Sequence, residues 1–117
     1  MMGIAIEALD APVLKNTNAL LALTAKEQKI KKQSACIRCG ACVSHCPFSL
    51  KPVAMLKAYK KGDMETLDKL RVDICMECGC CSYICPAAQP LAQTNRLAKI
   101  ALREYKRVKA QNEEEKK

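Results

Sequence analysis

Apolar and polar positions along this chain change period several times. GIAIEAL at 3–9 alternates weakly with period two, DAP at 10–12 is a turn signal, and NALLAL at 18–23 is a second apolar run. Short apolar runs bounded by turn residues predict a hairpin or two strands over residues 1–23. TAKE at 24–27 then places Thr24 as an N-cap with Glu27 three residues on. That capping box predicts a lysine-rich helix of about two turns, to Lys32. Between residues 47 and 74 the period is helical. Val53, Leu56 and Tyr59 share one face, Gly62 is a stop, Asp63 is an N-cap, and Met64, Leu67 and Leu70 form a second stripe. Two short helices joined at 61–63 are expected. After Pro90, Leu97, Ala101, Tyr105 and Val108 recur at i, i+4, i+8 and i+11, which predicts a long helix. NEEEKK at 112–117 puts glutamates where the negative end of the helix repels them, so fraying is expected there. The pattern reads as mainly α with a short N-terminal β segment. The expected organisation is a β-rich remnant of a preceding domain at 1–23, a helical domain at 24–110 and a charged tail at 111–117.

Composition changes this picture in one respect. The 117 residues suit one small domain, yet they include no tryptophan, one phenylalanine and three tyrosines. Large aromatics carry much of the burial in ordinary cores, so something else must supply cohesion. Nine cysteines are the candidate, because small domains with thin cores are commonly stapled by disulfides or metals. No signal-peptide pattern opens the chain, and an odd count would leave one thiol over in a bridged secreted protein. A reducing cytosol and metal ligation are therefore favoured over an oxidised scaffold.

The cysteines fall into a repeat. Sliding the chain by 39 residues lays CIRCGACVSHCP at 36–47 onto CMECGCCSYICP at 75–86. Both copies read C-x2-C-x2-C-x3-C-P, the ligand run of bacterial two-cluster ferredoxins. Three cysteines at x2 intervals lie on one tight loop and can meet three corners of a cubane. Glycine after the second allows close approach and unusual dihedrals, and the final proline fixes the chain's exit. In two-cluster proteins with this run the fourth cysteine ligates the other cluster. Two [4Fe–4S] clusters are expected, one on Cys36, Cys39, Cys42 and Cys85, the other on Cys75, Cys78, Cys81 and Cys46. Zinc also uses C-x2-C pairs, but it does not explain a third cysteine at x2, a fourth at x3 and a proline, twice.

The remaining residues of the loops have plainer readings. Cys80 overlays Ala41 and is expected to be a small packing or neighbouring thiol rather than a ligand. His45, the only histidine, reads as a surface side chain beside Cys46. Arg38, Met76 and Glu77 either shift potential or face solvent, and Ser44 and Tyr83 are expected to pack around the loops. The formal charge of +8 suggests nucleic acid at first sight. Two thiolate-held clusters would take it to about +4, so the basic excess is partly their counter-charge. Arg96, Lys99, Arg103, Lys106, Arg107 and Lys109 on the last helix form a solvated face, or a docking surface for an acidic partner or a membrane. No apolar run of spanning length exists, so no transmembrane segment is expected.

The 28 residues between Cys46 and Cys75 read as two helices, whereas the simple two-cluster ferredoxin is a hairpin fold with a short gap. The chain is similar in this to the α-helical ferredoxin modules of fumarate reductase and heterodisulfide reductase. CIRCGACVSHCP, KAYKKGD, CMECGCCSYICP and PLAQTNRLAK together resemble the C-terminal ferredoxin module found in the C subunit of the Rnf-type electron transport complex. MMGIAI and DAPVLKNTNALLAL resemble the stretch before that module. The resemblance implies an α-helical two-[4Fe–4S] module passing single electrons within an ion-translocating ferredoxin:NAD oxidoreductase. It implies partners among the other subunits of a membrane complex and ferredoxin-like redox carriers, with no nucleic acid, and a peripheral place on the cytoplasmic side of the membrane. The flavin- and NADH-binding region of that family lies upstream of the residues matched, so no catalytic residue is assigned and the chain is expected to be a fragment or truncated form. Two other functions compete: a ferredoxin-like subunit of a soluble dehydrogenase or heterodisulfide-reductase-type complex, and a zinc-stabilised adaptor.

Overall fold

A computed structural model describes residues 8, 10–15, 17–27 and 31–114 of the chain, the side chains of residues 113 and 114 excepted. Its elements, in order, are α1 (Ala41–Ser44), α2 (Pro52–Lys61), α3 (Met64–Lys69), a 3-10 turn (Val72–Ile74), α4 (Cys80–Tyr83) and α5 (Leu91–Glu114). Among the described residues there is no strand. The expected β segment is therefore corrected at residue 8 and over 10–15 and 17–23, which carry no regular structure beyond turns and are exposed; the rest of that expectation lies outside the described residues. Among the described residues no strand lies beside this segment, and alternation alone cannot hold a strand without one.

The capping box at Thr24 closes a turn rather than a helix. The Glu27 carboxylate accepts from the Thr24 amide at 2.8 Å and from the Thr24 hydroxyl at 2.8 Å. These bonds hold the Glu27 carboxyl below its ordinary range, the backbone bond most of all. The hydroxyl thus donates to Glu27 instead of accepting from its amide, and one turn spans 25–27. Residues 28–30 of the expected helix lie outside the described residues, and 31–34 are not helical.

The hinge between α2 and α3 follows the expected residues. The Gly62 amide bonds to Tyr59 O and the Asp63 amide to Ala58 O, both at 3.0 Å, which is the Schellman closure of a helix end. Asp63 then accepts from the Thr66 amide at 2.9 Å and the Thr66 hydroxyl at 2.6 Å. It caps the first turn of α3, and those bonds lower its carboxyl pKa.

Helix α5 lies across α2, α3, α4 and the 3-10 turn. Its amide at Ala92 is capped from outside, by the Ser82 hydroxyl of α4 at 2.8 Å. The helix continues through Glu114, past the expected end of the domain at residue 110, and residues 115–117 lie outside the described residues. The buried face of α5 is Leu91, Thr94, Asn95, Ala98 and Leu102. The expected stripe was a different one: Leu97, Tyr105 and Val108 are exposed and Ala101 is half-buried. Both series have helical spacing, and only packing chooses between them. The main apolar cluster joins Leu50, Met55, Ala58, Leu67, Val72, Ala98 and Leu102, with Cys46 and Cys75 against its edge. A second cluster joins Leu56 and Leu91 to Cys42 and Cys81. Cysteines thus take core places that aromatics fill elsewhere.

Leu67, fully enclosed, should cost about 2–5 kcal/mol when replaced by alanine, read as a fall in Tm. Asp63→Ala should lower Tm less, and Asp63→Asn, which keeps the acceptor, should restore most of the loss.

Candidate iron–sulfur centres

The two cysteine loops share a backbone shape as well as a sequence. Arg38 and Glu77 are left-handed with φ of 57° and 58°, Gly40 and Gly79 with 78° and 82°, and Ser49 and Ala88 with 50° and 48°. Each pair is related by the 39-residue repeat. A left-handed non-glycine residue costs about 1–2 kcal/mol, so four such residues in matched places mark an imposed shape. A Cβ on Gly40 would meet no protein atom within 4 Å. Its left-handed φ, and not crowding by the chain, is what favours glycine there. Left-handed residues that alternate with others turn successive amides towards one concave side, the backbone arrangement found at many anion and iron–sulfur sites.

Gly40 and Gly79 lead directly into α1 and α4, which pack on each other. The third cysteine of each loop, Cys42 or Cys81, is the second residue of its short helix and is buried. The segment before the first loop is tied to the segment after the second. The Ser34 amide bonds to Ala87 O at 3.1 Å, and the Gln89 side chain donates to Ser34 O.

The thiols line two cavities. One, with about 610 Å³ of empty space open to solvent, is walled by Cys36, Cys39, Cys42 and Cys85, with Val43 and Val53 behind them. The other, with about 370 Å³, is walled by Cys75, Cys78, Cys81 and Cys46, with Pro52 and Asn95 behind. Each cavity thus draws three thiols from one loop and the fourth from the other. Among the described residues no three Cys, His, Asp or Glu side chains converge closely enough to hold a single metal ion. A lone zinc needs its sulfurs about 2.3 Å from one point; thiols spread around a cavity suit a polynuclear group. The donor set, four sulfurs per cavity, is that of a [4Fe–4S] cluster.

Burial raises the thiol pKa of Cys42 and pushes that of Cys81 up to about 11. Desolvation is the main cause at both, and the neighbouring thiols that would repel a thiolate are those of the same cavity: Cys85 and Cys36 for Cys42, Cys75, Cys78 and Cys46 for Cys81.

The other loop residues divide. Cys80 is exposed beside Cys78 and does not pack in the interior. Its pKa is raised, first by a hydrogen bond with Cys78 and then by that sulfur's charge. Tyr83 is 90% exposed, so the expectation that it packs around the loop is corrected; its side chain leaves α4 on the solvent side. His45 is exposed, with Nδ1 3.0 Å from Ala41 O, a surface role. Arg38 is exposed, whereas Glu77 is half-buried and pairs with Lys99 at 3.1 Å and Arg96 at 3.7 Å.

Three residues that line the second cavity or brace its loop were not singled out for it from the sequence. Asn95 Nδ2 donates to Cys75 Sγ at 3.8 Å, and Lys99 Nζ donates to Cys75 O at 2.6 Å. Ser82 caps α5. The available signal was the spacing of Leu91, Asn95, Ala98 and Leu102, at i, i+4, i+7 and i+11, passed over for a more apolar stripe.

Residues 32–88 match the 4Fe-4S dicluster domain. They belong to that family. The domain's cofactors are two [4Fe–4S] clusters. Over 104 residues, 89% of this chain and 20% of the relative, the chain is 45% identical to the C subunit of the ion-translocating oxidoreductase complex of Rhodobacter capsulatus. It is 41% identical over 64 residues, 55% of this chain and 14% of the relative, to the C subunit of the proton-translocating ferredoxin:NAD(+) oxidoreductase complex of Clostridium ljungdahlii. The same identity and coverage hold for the C subunit of the Na(+)-translocating ferredoxin:NAD(+) oxidoreductase complex of Acetobacterium woodii. The chain is thus a homologue of these C subunits and spans about a fifth or less of their length. No helix among the described residues is long and apolar enough to cross a membrane.

In metal-free protein at pH 8, buried Cys42 and Cys81 should alkylate more slowly than exposed Cys39, Cys81 slowest. Raised pKa and burial both lower the reactive thiolate. Mass spectrometry of a timed alkylation series reads the order.

Proposed function

We propose that this chain is the electron-transfer module of an ion-translocating ferredoxin:NAD oxidoreductase. In this reading Cys36, Cys39, Cys42 and Cys85 hold one [4Fe–4S] cluster, and Cys75, Cys78, Cys81 and Cys46 hold the other. The observation that carries it is the grouping of these thiols, three and one, around two cavities. Residues 24–110 form the module, and residues 1–23 belong to the region that precedes it.

Bound clusters would supply one-electron chemistry, which calls on no side chain as acid or base. The chain's own residues bind, orient and insulate. Cys42 and Cys81 hold the buried corner of each site, while Leu56 and Leu91 exclude water behind them. The exchange of fourth cysteines keeps the two sites close, as electron hopping needs. Partners are the other subunits of the complex and a ferredoxin-like carrier, at the cytoplasmic face of the membrane. The names of the relatives support this role, and the exposed basic residues Arg103, Arg107 and Lys109 of α5 suit an acidic docking partner.

Anaerobically purified protein should be brown, with iron and acid-labile sulfide at about eight each per chain. A colourless, zinc-loaded protein would sink the reading. Cys46→Ser should damage the cluster of the 75–81 loop and leave the other, with iron falling to about four. Loss of the first-loop cluster alone would contradict the crossed ligation.

A further inference from the structure

Asn95 is 1% exposed, on the face of α5 that covers the second cavity. Its Nδ2 donates to Cys75 Sγ at 3.8 Å, while its Oδ1 is buried with no hydrogen-bond partner. The side chain is therefore half-satisfied, and an orphaned buried acceptor costs about 1–3 kcal/mol. A leucine of similar size would avoid that cost, so stability does not account for an amide here. The orientation follows from the chemistry of the sulfur. A ligating thiolate only accepts, so the donor end of the amide faces it and the carbonyl is left over. Among the described residues the first cavity has no counterpart. Apart from its cysteines, the one polar side chain lining it among the described residues is Arg38, which is exposed.

We propose that the Asn95 amide, by its hydrogen bond to Cys75 Sγ, raises the reduction potential of the cluster at the second loop and leaves the first cluster's potential unchanged. The inference rests on the ligand assignment above. Reduction adds one electron to a centre already surrounded by four thiolates. A donor on a ligand sulfur stabilises the more negative state, so it favours reduction. Asn95 is a positioning residue in this sense: it touches a ligand, and the electron passes without it. Lys99 fixes the same loop through Cys75 O, which keeps the sulfur in place against the amide.

The test is a redox titration of the loaded protein followed by electron paramagnetic resonance. Asn95→Leu should keep iron at about eight per chain. One midpoint should fall by tenfold or more in the reduction equilibrium, about 59 mV for one electron. The signal that moves should be the one missing in Cys46→Ser. Asn95→Asp, of the same shape but without the donor and with a negative charge, should lower it further. A second measurement needs no variant. With 15N-amide-labelled asparagine, the reduced unaltered protein should show a nitrogen hyperfine coupling. Asn18 and Asn112 lie outside the lining of both cavities. Asn95→Leu with full iron and both midpoints unchanged overturns the proposal, as does an equal shift of both. Should Asn95→Leu lose its iron, the labelled protein decides, and absence of the coupling overturns the proposal. Unaltered protein that binds no iron fails earlier, and that failure belongs to the ligand assignment.

Discussion

Each cavity in this protein is three-quarters built by one loop and completed by the other, and the rest of the structure is arranged around that exchange. Neither loop can close its site alone, so α1 and α4 must pack on each other with Cys46 and Cys85 reaching across. The backbone accepts strain to do so, with left-handed Arg38, Ser49, Glu77 and Ala88 in repeat-related places. Such conformations persist where the surroundings over-determine them. Here the surroundings are the packing of α2 and α5 on the loops and, when bound, the clusters. The thin aromatic content follows: Cys42 and Cys81 stand in the core as members of an apolar cluster with Leu56 and Leu91, and their cohesion depends on what they bind.

The repeat is symmetrical in the loops and unsymmetrical in what covers them. Helix α5 lies over the second loop and brings Asn95, Lys99 and Arg96 to Cys75 and Glu77. Among the described residues no helix brings polar side chains to the first loop in that way: Cys39 and Arg38 are exposed where Cys78 and Glu77 are half-buried. Two chemically identical donor sets therefore sit in different fields. Hydrogen bonds to sulfur, local charge and solvent exposure are what tune such centres, and all three differ between the sites.

Much of the centre was legible because its chemistry is local. The x2 and x3 spacings place donors by chain geometry alone, and Gly62 and Asp63 act within one turn of themselves. The misreadings have a common cause. NALLAL has the pattern of a strand, and among the described residues no strand lies beside it. Thr24 and Glu27 bond as a capping pair, yet the described residues after them do not continue a helix. Leu97, Tyr105 and Val108 are more apolar than Thr94 and Asn95, but the face with the polar pair is the buried one. In each case periodicity described what a segment could bury, while burial itself depended on residues far away in the chain.

The sequence by itself determined the cofactor chemistry, the repeat and the helical class, since ligand spacing and capping act over a few residues. Tertiary structure decided that Cys80 faces solvent and that α5 turns Asn95 towards Cys75. Those outcomes depend on how helices far apart in sequence lie against one another, and a residue's neighbours across such a contact leave no trace in its own local pattern.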